Sequence, residues 1–121
     1  MSESAPAFVH DFFVHYARAL LDRDATGIAD LYAIPALILF PGQSIAVTER
    51  DQVEDFFTSS WGQYEGVKEL GRQVTVCGEA PASLWVDVAW SYSGQIRERF
   101  CYQLIEEGGE WCIAVITPLA L

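Results

Sequence analysis

The chain has 121 residues, of which 51% are hydrophobic, enough for one folded domain with a substantial core but too few for two. Its formal net charge of -10 argues against nucleic acid and anionic membranes as partners, because both attract clustered Lys and Arg. We see no signal-peptide pattern at the start, and no apolar run is long enough to cross a membrane.

Three cysteines, Cys77, Cys101 and Cys112, lie within predicted strands. Their odd number and positions indicate small side chains packed in a protein of the reducing cytoplasm. They form no Cys-x-x-Cys pair, and His10 and His15 are five residues apart, which is not the spacing that brings two ligands together on a helix. We therefore expect neither a metal site nor a cofactor.

The first part of the chain predicts helices. Residues 1–6 are small and polar and are expected to be flexible, so the single domain is predicted to span residues 7–121. Apolar residues then recur at helical spacing, and this pattern predicts a first helix. Its apolar stripe consists of Val9, Phe12, Phe13, Tyr16, Ala17, Leu20 and Leu21.

A second helix is predicted after Asp24, a suitable N-cap, and is expected to end at Pro35. Residues 36–40 then form a short apolar strand, and a smaller strand near residues 45–47 pairs close to it. Residues 48–51 resemble a capping box that opens a third helix, with Val53, Phe56 and Phe57 on its inner face.

The second half predicts a long antiparallel meander. Residues 70–77, 83–92, 96–104 and 111–116 have strand character and are separated by turns that contain Gly. Helices followed by such a meander predict an α+β fold, in which three helices pack on one face of a strongly curved antiparallel sheet. A sheet bent around helices forms a cone with a pocket at its open end.

The order and spacing of several motifs resemble the nuclear transport factor 2-like superfamily, including its ketosteroid isomerase-like and SnoaL-like polyketide cyclase branches. The motifs are residues 13–24, 28–32, 48–53, 86–90 and 108–113. The resemblance covers nearly the whole chain and implies a cystatin-like cone, an apolar pocket between sheet and helices, and a homodimer formed through the outer face of the sheet.

The resemblance also implies site residues. Tyr16 falls at the place of the oxyanion-hole tyrosine of ketosteroid isomerases, and Gln103 at the place of a second oxyanion partner. The catalytic base corresponds to Phe40, which cannot accept a proton, so steroid isomerase chemistry lacks its central group. Arg99 and Cys101 share a strand parity with Gln103, which the resemblance places on the pocket side.

Each of these residues has a plainer explanation as well. Tyr16 suits a core position with a satisfied hydroxyl, Arg99 suits a surface ion pair, and Gln103 suits local hydrogen bonding. The pocket wall is predicted to include Phe40, Trp90 and Tyr92, with Trp61 at its rim. On the opposite face, Trp85, Phe100, Tyr102 and Leu104 are expected to form the apolar part of a dimer interface.

Two functions are favoured on the sequence alone, ahead of transport of a small GTPase, which only the global resemblance to the founding family implies. The first is a protein that binds a small apolar or carboxylate-bearing molecule without chemistry. The alternative is an isomerase, dehydratase or cyclase acting beside a carbonyl, with Tyr16 and Gln103 as donors and Arg99 as an anion clamp. The sequence shows no obvious pocket carboxylate, and this favours the first.

Overall fold

The computed structural model describes residues 5–121, with the side chain of residue 63 excepted. Its elements are α1 (Ala7–Leu21), α2 (Ala25–Ala29), β1 (Tyr32–Phe40), β2 (Gln43–Val47), α3 (Arg50–Thr58), a 3-10 turn (Trp61–Tyr64), β3 (Leu70–Ala80), β4 (Ser83–Tyr92), β5 (Gln95–Glu107) and β6 (Glu110–Pro118). The predicted flexible residues 1–4 lie outside the described residues, whereas Ala5 is buried. No described helix is long and apolar enough to span a membrane.

The six strands form one curved sheet in the order β2-β1-β6-β5-β4-β3. Neighbouring strands are antiparallel except β1 and β6, which run parallel, so the sheet is mixed. The predicted α+β class is confirmed, while the expectation of a purely antiparallel sheet is corrected by this one pair. The apolar stripe of α1 is confirmed too, with Val9 and Phe13 fully buried against the sheet.

Local sequence signals explain where the helices begin. Asp24 caps α2 as predicted, since its carboxylate accepts the N–H of Gly27 at 3.0 Å. The capping box of α3 lies one residue later than predicted, between Glu49 and Gln52: the Gln52 side chain accepts the Glu49 N–H at 2.9 Å.

The second helix is shorter than predicted and the first strand longer. The helix ends at Ala29, and β1 already begins at Tyr32, whose partner on β6 is Ile113. Tyr32 is buried in this pairing. Tertiary pairing with β6 therefore overrides the weak helical pattern around Leu31 and Tyr32.

The hairpin between β4 and β5 contains the irregularity that decides which side chains face the helices. Ser93 and Gly94 have positive φ values of 54° and 82°, as a two-residue turn between twisted strands requires. Tyr92 then lies opposite Gln95 and Ser91 opposite Ile96, but Trp90 lies opposite Glu98. Arg97 is thus an extra residue, a β-bulge, and every residue of β5 beyond it is displaced by one position.

The bulge reverses the predicted faces of β5. Val86 and Val88 face the helices, and residues directly opposite each other in a sheet share a face. Their partners are Tyr102 and Phe100, and Leu84 is paired with Leu104. The prediction that Phe100, Tyr102 and Leu104 form an outer dimer surface is therefore wrong, because Tyr102 and Leu104 are 1% and 0% exposed within the core.

Candidate functional site

A cavity of about 210 Å³ lies between the helices and the inner face of the sheet. Aromatic residues dominate its described lining, which also includes three small or amide side chains and one acid. The described lining residues are Tyr16, Leu20, Phe40, Gln43, Phe56, Phe57, Ser59, Ser60, Tyr64, Leu70, Trp90, Tyr92, Glu98, Phe100, Tyr102 and Ile116. A concave site lined mainly by aromatic residues, with polar groups among them, is a usual form of small-molecule pocket.

Several predicted wall residues lie where they were expected. Phe40, Trp90 and Tyr92 all line the cavity, and so does Tyr16. The Phe40 ring lies 5.5 Å from Phe56 and 5.6 Å from Phe100, between α3 and β5. Their part in binding remains a prediction, since no ligand is present.

Trp61 occupies a different position from the one predicted. Its ring is 6.5 Å from that of Phe57 and packs against the core from the 3-10 turn. It does not belong to the described cavity lining, whereas Tyr64, one turn further along, does. The Tyr64 ring lies 5.9 Å from that of Tyr92, another lining residue.

Three of the lining residues, Tyr16, Trp90 and Tyr102, take part in two buried hydrogen bonds. The Tyr16 hydroxyl is 2.9 Å from that of Tyr32, and the Trp90 indole N–H donates to the Tyr102 hydroxyl at 3.0 Å. Burial raises the pKa of Tyr102 well above its ordinary value, with a further increase from Tyr32 and against the opposing effect of the hydrogen bond from Trp90. Burial likewise raises the pKa of Tyr16, with further increases from Tyr32 and Tyr102. These phenols are therefore neutral donors at physiological pH.

Arg99, Cys101 and Gln103 lie on the opposite face of the sheet from the cavity, which corrects their predicted placement. Arg99 forms an ion pair with Asp87, with Nε to Oδ1 at 3.0 Å and Nη2 to Oδ2 at 2.5 Å. Cys101 lies directly opposite Asp87 on β4. Gln103 donates from its amide to the Ser83 hydroxyl at 2.9 Å. These three side chains face away from the cavity because the bulge at Arg97 exchanges the two faces of β5.

The same bulge brings an acid into the cavity that the sequence pattern did not reveal. Glu98 lies beside Trp90 on the inner face and is the charged residue among the described lining. Burial raises the pKa of Glu98, and the neighbouring Tyr92 hydroxyl acts in the opposite direction. In an unbroken hairpin Glu98 shares the outer face with Phe100, and only the bulge would have shown that it points inward.

Tyr92 stands next to this acid. Its hydroxyl is buried and has no hydrogen-bond partner of standard geometry among the described residues. Burial raises its pKa, and the proximity of Tyr64 and Glu98 raises it further. An unsatisfied buried hydroxyl beside a carboxyl group leaves hydrogen-bonding capacity for a molecule inside the cavity.

The raised pKa of Glu98 predicts a measurable dependence of stability on pH. A carboxyl group with a higher pKa in the folded state stabilises the protein below its ordinary pKa of 4.5, and this contribution is lost as pH rises through the folded-state pKa. We expect Glu98→Gln to gain stability relative to the wild type as pH rises from about 4 to about 7. Thermal unfolding at several pH values checks this. Glu106→Gln, at an exposed position of the same strand, is the charge-matched control and should show no such relative gain.

The fold and cavity define an α+β cone with helices packed around a pocket, and comparisons with known proteins agree with this class. The family model described as NTF2-like protein (DUF6841) matches residues 2–120, so the chain belongs to this NTF2-like family. The predicted superfamily is thereby confirmed. No curated protein matches the chain.

Solved structures show the same fold at low sequence identity. An NTF-2 like protein of unknown function from Shewanella oneidensis has a TM-score of 0.72 at 11% identity, with 91% of this chain and 94% of that chain covered. A putative calcium/calmodulin dependent protein kinase II association domain from Xanthomonas campestris has a TM-score of 0.69 at 20% identity, covering 99% and 94%. A cystatin-like domain of unknown function from Nostoc punctiforme scores 0.65 at 16% identity, covering 95% and 78%. Likeness at these identities establishes the fold alone.

Proposed function

We propose that the protein binds a small, mainly apolar molecule in the cavity between the helices and the sheet. The observation that supports this most is the lining itself, in which nine of sixteen described residues are aromatic. Tyr92 and Glu98 add polar groups at one place in the wall, which would orient a ligand. The outward position of Arg99 removes the anion clamp, so carboxylate-bearing molecules are no longer the favoured ligands.

A variant that blocks the mouth of the cavity tests the proposal. Gln43 is exposed and lines the cavity, so a tryptophan there would cover the opening with little effect on the core. Its exposed neighbour Ser44 is not part of the described lining and supplies the control. Ligands are first found by the rise they cause in the melting temperature. We expect Gln43→Trp to increase the Kd of such a ligand about ten-fold or more, and Ser44→Trp to leave that Kd nearly unchanged. Equal binding by both variants would place the ligand elsewhere.

Glu98 gives specific support to a second candidate, an isomerase, dehydratase or cyclase acting beside a carbonyl. A half-buried carboxylate with a raised pKa suits a general base, and Tyr16 offers a hydroxyl in the same cavity. Such an enzyme would exchange the protons next to the carbonyl of a bound ketone for deuterium in heavy water. A rate of exchange about a hundred-fold lower in Glu98→Gln than in the wild type would support an enzyme of this kind. Exchange no faster than in buffer, with binding demonstrated, would leave binding as the function.

We also propose a homodimer formed through the outer face of the sheet. Trp85, Leu37 and Ile96 are 40%, 42% and 49% exposed, and exposed large apolar side chains are typical of an interface. A second copy is the expected partner because the structural neighbour from Xanthomonas campestris is described as an association domain. Light scattering should give the mass of two chains, and Trp85→Lys should give one. A single-chain mass for the wild type at micromolar concentration would contradict the dimer.

The cytoplasm is the proposed compartment. Cys77, Cys101 and Cys112 are all free thiols in the structure, which is the usual state in a reducing environment.

A further inference from the structure

The carboxyl group of Glu98 has no cationic partner inside the cavity. Among the lining residues that the structure describes, no Lys, Arg or His occurs. Arg72 lies across from Trp90 on the side away from Glu98, and its guanidinium donates to the Leu70 carbonyl at 3.1 Å. A partly buried carboxylate without a counter-charge is costly, and a positive ligand would remove that cost.

The walls around this carboxyl group are aromatic. Trp90 is its cross-strand partner, and Tyr92, Tyr64 and Phe100 line the same space. The faces of such rings carry negative potential and attract organic cations, most strongly where water is excluded. The aromatic rings and the carboxylate therefore both attract a positive charge.

The rest of the molecule strengthens this preference. The chain carries a formal net charge of -10, so its long-range potential attracts cations and repels anions. The arginine expected in the pocket, Arg99, instead pairs with Asp87 on the outer face. No described group in the cavity would therefore compensate a ligand carboxylate or phosphate.

From this arrangement we propose that the cavity selects an organic cation, an alkylated amine or quaternary ammonium compound, whose charge sits between Glu98 and the surrounding aromatic rings. This deepens the proposed binding function and rests on it. The apolar substituents of the cation would contact Phe40 and Phe56, and an N–H of a protonated amine would donate to Glu98. Tyr92 would accept a second hydrogen bond through its unpartnered hydroxyl oxygen.

Three probes of similar size and different charge test this preference. Choline is positive, its isostere with carbon in place of nitrogen is a neutral alcohol, and pivalate is negative. Their Kd values are measured by chemical-shift titration with the wild type, Glu98→Gln and the control Glu106→Gln. We expect choline to bind the wild type and the control about ten-fold more tightly than the neutral alcohol, because removing water strengthens the attraction of rings and carboxylate for a cation. Glu98→Gln should lose most of that preference.

A pH series with the unmodified chain repeats the test without a substitution. The other titratable groups that face Glu98 are four tyrosines and one arginine, residue types that do not change charge in acid. They are Tyr16, Tyr64, Tyr92, Tyr102 and Arg72. The preference for choline should therefore decline in acid as Glu98 is protonated.

Each other outcome has a distinct meaning. Equal or tighter binding of the neutral alcohol or of pivalate to the wild type would overturn the cation preference and leave the binding function intact. A preference that persists unchanged both in Glu98→Gln and in acid would overturn the part assigned to Glu98. If none of the three probes binds the wild type, and none of the neutral and apolar ligands used in the Gln43→Trp experiment binds it either, the proposed function itself is overturned.

Discussion

Leu104→Ala is expected to lower the free energy of unfolding by about 2–5 kcal/mol, the usual range for truncating a fully buried leucine. Leu104 is 0% exposed and lies opposite Leu84, which is also buried in the core. The large cost follows from the bulge at Arg97, which turns this side chain towards the helices. Chemical denaturation with urea measures the difference.

The matched control is the neighbouring position on the other face. Gln103 is half-buried and makes one side-chain hydrogen bond, to Ser83, so Gln103→Ala should cost less than about 1.5 kcal/mol. The reverse order, with Gln103→Ala the more destabilising change, would mean that β5 lacks the bulge and that its faces are those predicted from the unbroken hairpin.

Tyr16→Phe is expected to destabilise the protein by about 1–3 kcal/mol, although it removes a single oxygen atom. The Tyr16 hydroxyl is 2.9 Å from that of Tyr32, and both residues are buried, so the substitution leaves the Tyr32 hydroxyl without this partner. Tyr32→Phe should have a similar cost for the same reason. The double variant should cost less than the sum of the two single variants, since no orphaned hydroxyl remains at that contact.

This double-mutant cycle separates a structural part for Tyr16 from a purely functional one. Additive effects of the two substitutions would show that the hydroxyls are not coupled. If in addition Tyr16→Phe had no effect on stability but abolished ligand binding, its hydroxyl would serve the ligand and not the core. The sequence left both explanations open.

Much of the fold could be predicted because its signals are local. The apolar stripe of α1 and the cap at Asp24 each depend on residues close together in the chain. The alternation in β4 identified Val86, Val88 and Trp90 as inner residues, and all three are buried. The extra length of β1 could not be predicted, because it depends on pairing with β6, some eighty residues later in the chain.

The candidate site was harder to predict because it depends on the relative register of two strands. Alternation within β5 separates its residues into two sets, but it does not say which set faces inward. Both sets contain polar and apolar residues, with Glu98 in one and Arg99 in the other. A single bulge decided between them, and residue spacing contains no signal for a bulge at Arg97. Cavity residues on strands without that ambiguity, such as Trp90, were predicted correctly in position.

The central claim, that the cavity holds a ligand, is tested most directly by the indole N–H signals of the four tryptophans in a nitrogen-15 NMR titration with choline and its neutral isostere. The Trp90 indole lines the cavity and donates to Tyr102, while Trp85 lies on the outer face and Trp111 stacks on Phe8. We predict a saturable shift of the Trp90 signal, with those of Trp85 and Trp111 unmoved. A saturable shift confined to Trp85 or Trp111, with Trp90 unchanged, would contradict a ligand in this cavity.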